Sequence, residues 1–432
     1  MTNGQSSPVV PKLPHELMDR IIDLCDLRST LYSCSLVCRA WVPRSQFHLF
    51  KVMLIGSLRE FKSIVRAAET PHLRPLFAVT SSLDITGYSD YANQRKWIQT
   101  MALRLGEPFS GVTSLSMSGI DWGSPTLPPN VLATGFASFT GTVKMVLSDC
   151  KFSTFGVFRR IISAFPNLRE LHLYHLKIRS NPSPQFLEAV AGSPRPRLES
   201  LTTIDVCYAL YDWLSVTPSI RALHRLELNT ATDQMESEAS QRMISLVGEH
   251  LKDLRVKLTN ENQVKSFCSS LCLTKCADLE ILHLILPTGI DTLDIHSYLA
   301  ALLSQISPSS RLQHLVFSTR LNLEGDTIDY YRLGPVDKLL SHSHFRNLCL
   351  VCAEVLVKFN LPLGVTELHL QQGVENALSD LVNRNVTVRC LVFPEYEDQS
   401  SEDEGNVLED NASRTIAMPD DVERDGQEGG EI

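Results

Sequence analysis

The chain has 432 residues, 43% of them hydrophobic with few aromatics, and a formal net charge of −9, the composition of a globular protein long enough for more than one unit. No apolar run reaches the roughly 18 to 20 residues of a membrane helix, and the polar residues 1–9 lack a charged leader followed by an apolar stretch, so neither a membrane span nor secretion is expected. The charge is uneven: residues 394–432 hold 14 Asp and Glu against two Arg, a balance of −12 that leaves +3 on the first 393 residues and, with no basic stripe elsewhere, argues against nucleic acid as a partner.

The chain opens with Leu13-Pro14-His15-Glu16-Leu17. Pro14 suits the start of a helix, because its missing N–H would be unpaired in the first turn and its φ is already helical. Leu13, Leu17, Ile21 and Leu24 then recur at the spacing of one helical face. Leu31, Cys34, Cys38 and Trp41 repeat that spacing in a second helix joined to a third, while Leu36 and Val37 carry apolar character to its other side. So few residues cannot enclose a core, and a hairpin apolar on more than one side has surface left to bury. Either a partner or the downstream domain covers it.

Leu-Pro-x-Glu-Leu, the pair Ile21-Ile22 and the run Val37-Cys38-Arg39-x-Trp41 together resemble the F-box, the motif by which substrate receptors dock on the Skp-family adaptor of cullin–RING ubiquitin ligases. The resemblance covers Leu13 to Phe50. It implies adaptor-facing or hairpin-core roles for Leu13, Pro14, Leu17, Ile21, Leu36, Val37 and Trp41.

Next in the chain, Leu58, Phe61, Ile64, Val65 and Ala68 form a helical stripe, and Leu83-Asp84-Ile85 reads as a strand. From there a pattern L-x-x-L-x-L returns: Leu168-Leu171-Leu173, Leu223-Leu226-Leu228, Leu251-Leu254-Val256, Leu279-Leu282-Leu284, Leu312-Leu315-Phe317, Phe345-Leu348-Leu350 and Val365-Leu368-Leu370. Weaker copies are Val112-Leu115-Met117, Met145-Leu147 and Leu198-Leu201-Thr203. The copies recur about every 20 to 33 residues, a solenoid period. Helical stripes lie between them, at Val157, Phe158, Ile161, Ile162 and Phe165; at Val264, Phe267, Cys268, Leu271 and Cys272; and at Leu299, Leu302, Leu303 and Ile306. A strand plus a helix cannot bury its own apolar face, so neighbouring units must stack.

This body resembles an irregular leucine-rich-repeat horseshoe, although the copies lack the asparagine or cysteine that regular repeats place after the last leucine. The expected fold class is therefore α/β. All-α F-box helices precede a leucine-rich-repeat solenoid, with parallel strands on the concave side and helices outside, and a disordered acidic tail follows. The expected divisions are 1–10 disordered, 11–55 F-box, 56–110 linker and solenoid cap, 111–393 solenoid, and 394–432 tail, with residues 386–393 as the last strand. The tail is too poor in apolar residues to offset the entropy of ordering, and Ser400 and Ser401 before Glu402, Asp403 and Glu404 suit acidophilic kinases.

In L-x-L strands the alternate residues face the concave side: Glu170, His172 and Tyr174; Arg225, Glu227 and Asn229; Asp253, Arg255 and Lys257; Ile281, His283 and Ile285; His314 and Ser318; Glu367, His369 and Gln371. Arg225, Asp253, Arg255 and Lys257 are the most polar stretch and the candidate substrate contact. Cys268, Cys272 and Cys276 fall every four residues, but ligands along one helix face do not converge on zinc. His172 with His175, and His342 with His344, meet the same objection. No phosphate loop, nucleophile elbow or metalloprotease motif occurs, so no metal, cofactor or catalysis is expected.

The eleven cysteines sit at core-like positions, which suits a reducing cytoplasm or nucleus. By the resemblance, the chain is a substrate receptor of a Skp–cullin–F-box ubiquitin ligase, with the adaptor, through it cullin, and an unknown protein substrate as partners. A repeat scaffold outside ubiquitination is the alternative.

Overall fold

A computed structural model of the chain describes residues 14–87, 94–123, 129–179, 196–215, 218–229, 234–270, 272–286, 292–307, 310–321, 333–357 and 367–394. The fold is mixed α/β. Three helices come first, α1 (His15–Asp23), α2 (Arg28–Val37) and α3 (Val42–Lys51). The strands follow in chain order: β1 (Val52–Ile55), β2 (Ser82–Thr86), β3 (Ser114–Ser118), β4 (Asp121–Trp122), β5 (Lys144–Ser148), β6 (Lys151–Phe152), β7 (Glu170–Tyr174), β8 (Lys177–Ile178), β9 (Ser200–Ile204), β10 (Arg225–Asn229), β11 (Asp253–Lys257), β12 (Ile281–Ile285), β13 (His314–Leu321), β14 (Leu350–Val357) and β15 (Thr387–Pro394). Short β4, β6 and β8 form their own parallel sheet, and the other twelve form one sheet in the order of the chain. Each of its neighbours is parallel, so a crossover must separate every pair.

Parallel pairing in constant register stacks equivalent residues into rows. Leu171, Leu201, Leu226, Leu254, Leu282 and Leu315 lie side by side, all fully buried. The second inward row runs through Leu173, Thr203, Leu228, Val256, Leu284 and Phe317. Thr203 keeps a hydroxyl in that row because Tyr211 Oη lies 2.9 Å away, which satisfies the buried group. At the strand starts a carbonyl of the preceding unit accepts two successive amides. Glu199 and Ser200 N–H donate to Arg169 O, His224 and Arg225 to Glu199 O, and Lys252 and Asp253 to His224 O, all at 2.8–3.2 Å.

The inward rows share one core with the crossover helices. Leu58–Glu69 (α4) begins at Ser57, whose hydroxyl accepts from Glu60 N at 3.2 Å while the Glu60 carboxylate accepts from Gly56 N at 2.7 Å. Thr154 and Asn260 cap the helices Phe155–Ser163 and Glu261–Ser269 in the same way, as short oxygen-bearing side chains do. Two stripes expected from the sequence face the core throughout: Val157, Phe158, Ile161, Ile162 and Phe165 are buried, as are Leu299, Leu302, Leu303 and Ile306; of a third, Val264 and Phe267 are buried and Leu271 lies outside the described residues.

Four consecutive units turn identically after their strand. Gly119, Asp149, His175 and Asp205 have φ of 67°, 53°, 51° and 52°, and the amides of the first three donate to the carbonyl ending the next strand at 2.8–2.9 Å. Three of these turns direct the chain into β4, β6 and β8. The equivalent Gly87 allows the closest approach, since a Cβ there would lie 2.6 Å from Gly119 O. Cys150 occupies the place after the last leucine that the sequence reading left without cysteine or asparagine. Its buried Sγ donates to Met117 O at 3.4 Å, and burial pushes the thiol up to about 12.

Three expectations need correction. Residues 367–370 belong to a helix, Glu367–Ala377, not a strand. Leu370 and Val374 are its buried stripe, continued by Leu378 just past its end, and the Gln371 amide covers β15 by donating to Val388 O at 3.0 Å and accepting from Cys390 N at 2.5 Å. Glu367, His369 and Gln371 therefore leave the strand face. In β14 the inward residues are Val351 and Ala353, not Leu348 and Leu350. Phe345 and Leu348 match Phe165 and Leu168, the apolar pair that precedes Leu171 in its own unit. Finally, α2 stops at Val37, so Cys38 and Trp41 lie in the turn to α3 rather than on one helix. The sheet also begins earlier than expected, since β1 follows α3 without a linker.

The register gives a direct test. Leu226→Ala should lower the free energy of unfolding by about 2–5 kcal/mol, whereas Leu350→Ala, on the other face of β14, should cost markedly less. Urea denaturation of the two variants, followed by circular dichroism, separates them.

Candidate functional site: an exposed apolar helical face

Pro14 opens α1 with φ −55° and ψ 144°, and its carbonyl accepts from Leu17 and Met18 N–H at 3.1 and 3.2 Å. Glu16 in the first turn complements the positive end of the helix. The helical module has a small core of Ile22, Leu31, Cys34 and Ser45. Burial pushes the Cys34 thiol up. What closes α1 onto α3 is mainly polar: Asp23 accepts from Arg44 Nε at 2.5 Å and Nη2 at 2.7 Å, and lies 2.7 Å from His48 Nε2. Hydrogen bonds from Arg44 and His48 hold the Asp23 carboxyl down at about 2, against an ordinary 3.8. At the other end Arg28 Nη1 donates to Val52 O at 3.1 Å, which ties α2 to the first strand.

This arrangement leaves the apolar residues largely in solvent. Leu17 and Ile21 are 47% and 45% exposed, and Leu36 and Val37 are 69% and 63% exposed. Leu24, Leu27 and Tyr32 extend the same character. Isolated apolar residues on a surface need no explanation, but five within two short helices and two more in the turn between them mark a surface built for contact. Of the residues singled out from the sequence, Leu17, Ile21, Leu36 and Val37 are therefore brought onto exposed helix. Pro14 is exposed beside them, Trp41 is half-buried at the start of α3, and Leu13 lies outside the described residues. Sequence periodicity missed Ile22, which is fully buried and anchors α1 one residue round from Ile21.

The sheet brings together the second set. Arg225 on β10 stands opposite Asp253 on β11, Arg255 opposite Glu227, and Lys257 opposite Asn229. Asp253 is buried, with Arg225 Nε 3.0 Å from Oδ2 and Arg255 Nε 3.4 Å from Oδ1. Along the same face His172 stacks on Tyr174 with ring centroids 6.5 Å apart. Burial lowers the His172 pKa, reinforced by Lys144 and opposed by Glu170, so the ring is neutral at pH 7.

The other sequence candidates separate. Cys268 lies on the helix Glu261–Ser269 and Cys276 beyond the following 3-10 turn Cys272–Lys275. His175, in the turn after β7, faces Asp205 at 3.3 Å, away from His172. His342 precedes the short turn Ser343–Phe345, which contains His344. Among the described residues no group of three or more His, Cys, Asp or Glu is placed to hold a metal ion, and no helix is long and apolar enough to cross a membrane. The tail with Ser400 and Ser401 lies outside the described residues. No protein-family model matches the chain, and no curated protein matches it.

Because the Asp23 pKa is depressed in the folded chain, its contribution is complete above the ordinary 3.8 and is lost as pH falls through about 2. Protection of the α1 amides, taken relative to the intrinsic exchange rate at each pH, should therefore fall between pH 4 and about 2, and Asp23→Asn should show the lower protection, hence faster exchange, already at pH 7. Equal exchange in variant and parent at pH 7 would remove Asp23 as the latch.

Proposed function

We propose that this chain is the substrate-recognition subunit of a Skp–cullin–F-box ubiquitin ligase, with α1 to α3 as an F-box and residues 111–393 as an irregular leucine-rich-repeat solenoid. The observation that carries the reading is the exposed apolar face of α1 and α2 at Leu17, Ile21, Leu36 and Val37. It coincides with the positions that the F-box resemblance assigns to the adaptor. A helical module with so little internal core gains most by burying this face on a partner, at about 25 cal/mol per Å² of apolar surface covered. The repeating strand-and-helix units support the second half of the reading, since stacked repeats leave one broad strand face open for a protein ligand.

In this reading the chain performs no chemistry. The adaptor joins it to cullin, and its strand face holds the substrate within reach of the ligase, so specificity comes from proximity. The cytoplasm or nucleus is the matching compartment.

Co-expression of the full chain with a Skp-family adaptor should yield a one-to-one complex on size-exclusion chromatography. Leu36→Glu with Val37→Glu should abolish co-elution while leaving the far-ultraviolet circular dichroism unchanged, because both side chains are already largely exposed. Folded protein eluting without the adaptor would refute the receptor reading and leave a repeat scaffold.

A further inference from the structure

At and just before the strand starts the ion pairs are mostly one-to-one. Lys144 meets Glu170 at 3.9 Å, Arg169 meets Glu199 at 3.2 Å, and Lys252 meets Glu280 at 3.3 Å. His172, the second neighbour of Glu170, is neutral by the argument above. Asp253 differs, because both of its neighbours are permanently charged: Arg225 from the adjacent strand and Arg255 two residues on in the same strand. Asp253 is 4% exposed, while the Arg225 and Arg255 side chains are 55% and 43% exposed.

We propose that Arg225 and Arg255, aligned by Asp253, form a clamp for a carboxylate side chain on an acidic segment of a partner protein. This names the substrate class for the strand face and rests on the receptor reading only for the partner's fate. Each guanidinium gives its Nε to Asp253, which fixes the plane of the fork and leaves the outer nitrogens directed from a buried base. A fork held in that way accepts a carboxylate in two parallel hydrogen bonds with little further ordering.

The charge decides which anion. Arg225, Arg255 and Lys257 against Asp253 and Glu227 leave a surplus of a single positive charge. Glu227, opposite Arg255, turns an oxygen toward Thr202 on β9 at 3.4 Å. A monoanion is balanced there, whereas a dianion is not. Ile281 and Ile285 flank the clamp on β12, so a segment bearing an apolar residue beside its acid would fit both strands.

The test uses the full chain and fluorescence anisotropy of a labelled hexaglutamate peptide. Because removing both arginines would strand the buried Asp253 carboxylate, the variant is Arg225→Gln, Asp253→Asn, Arg255→Gln together, checked by thermal unfolding. The parent should bind saturably and the variant about tenfold more weakly or worse, the loss of one charge-assisted pair. Arg311→Gln, which removes a cation paired elsewhere with Asp278, should leave binding unchanged, and Arg225→Lys with Arg255→Lys should bind as weakly as the triple variant. Equal binding by parent and triple variant, or tenfold tighter binding of a phosphoserine peptide of the same length, would overturn the carboxylate clamp. Adaptor co-elution measured on the same samples keeps the two ideas apart. Failure of the folded parent to co-elute sinks the receptor reading alone, and loss of peptide binding in the triple variant with co-elution kept supports the clamp.

Discussion

A backbone carbonyl that accepts two successive amides at the start of a strand is the constraint on which the large sheet depends. Val143 O, Arg169 O, Glu199 O, His224 O, Lys252 O, Glu280 O and Gln313 O all play this part. Because the same bond recurs at the same place, each strand enters at the same height, and equivalent side chains meet their equivalents. A slip of one residue would send a whole leucine row to the open face. The rows, the aligned helices and the side chains on the open face all follow from that one register. The two edges differ: β1 is reached directly from α3, whereas β15 is covered by Gln371, which occupies backbone groups that would otherwise be open to another strand.

The helices in front of the sheet are held together on another principle. Their core is a handful of residues, and the Asp23, Arg44 and His48 cluster joins α1 to α3. Exposed ion pairs contribute modestly to stability, so the module is fastened by geometry rather than by burial. Its apolar residues are thereby left for an outside surface. The strand face is polar and mixed, and there arginines are oriented by a carboxylate that itself is hidden. One region therefore offers hydrophobic area and the other directional hydrogen bonds.

Much of this was legible in the chain. The leucine period located the inward residues of most strands, and Ser57, Thr154 and Asn260 stand where their helices begin. The errors have physical causes. Phe345-Leu348-Leu350 fits the strand pattern, yet Phe345 and Leu348 are the apolar pair that, as Phe165 and Leu168, precedes the strand in another unit, and only pairing with β13 and β15 puts Val351 and Ala353 inward. Leu368 and Leu370 fit a strand pattern, yet the buried spacing of Leu370, Val374 and Leu378 is helical. Strands of two residues, such as β4 and β6, are too short to carry any period.

The sequence by itself determined where apolar side chains recur, where most of the helices and strands fall, and how the charge divides between the body and the last residues, because these depend on spacing and composition along the chain. The tertiary structure alone decided that Ile22 is buried while Ile21 is exposed, since that depends on where α3 crosses α1. It also decided that Arg225 meets Asp253 across 28 positions of sequence. Lateral register, a property of the stacked strands and not of any one of them, places a carboxylate between two arginines and so brings together residues that no local motif connects.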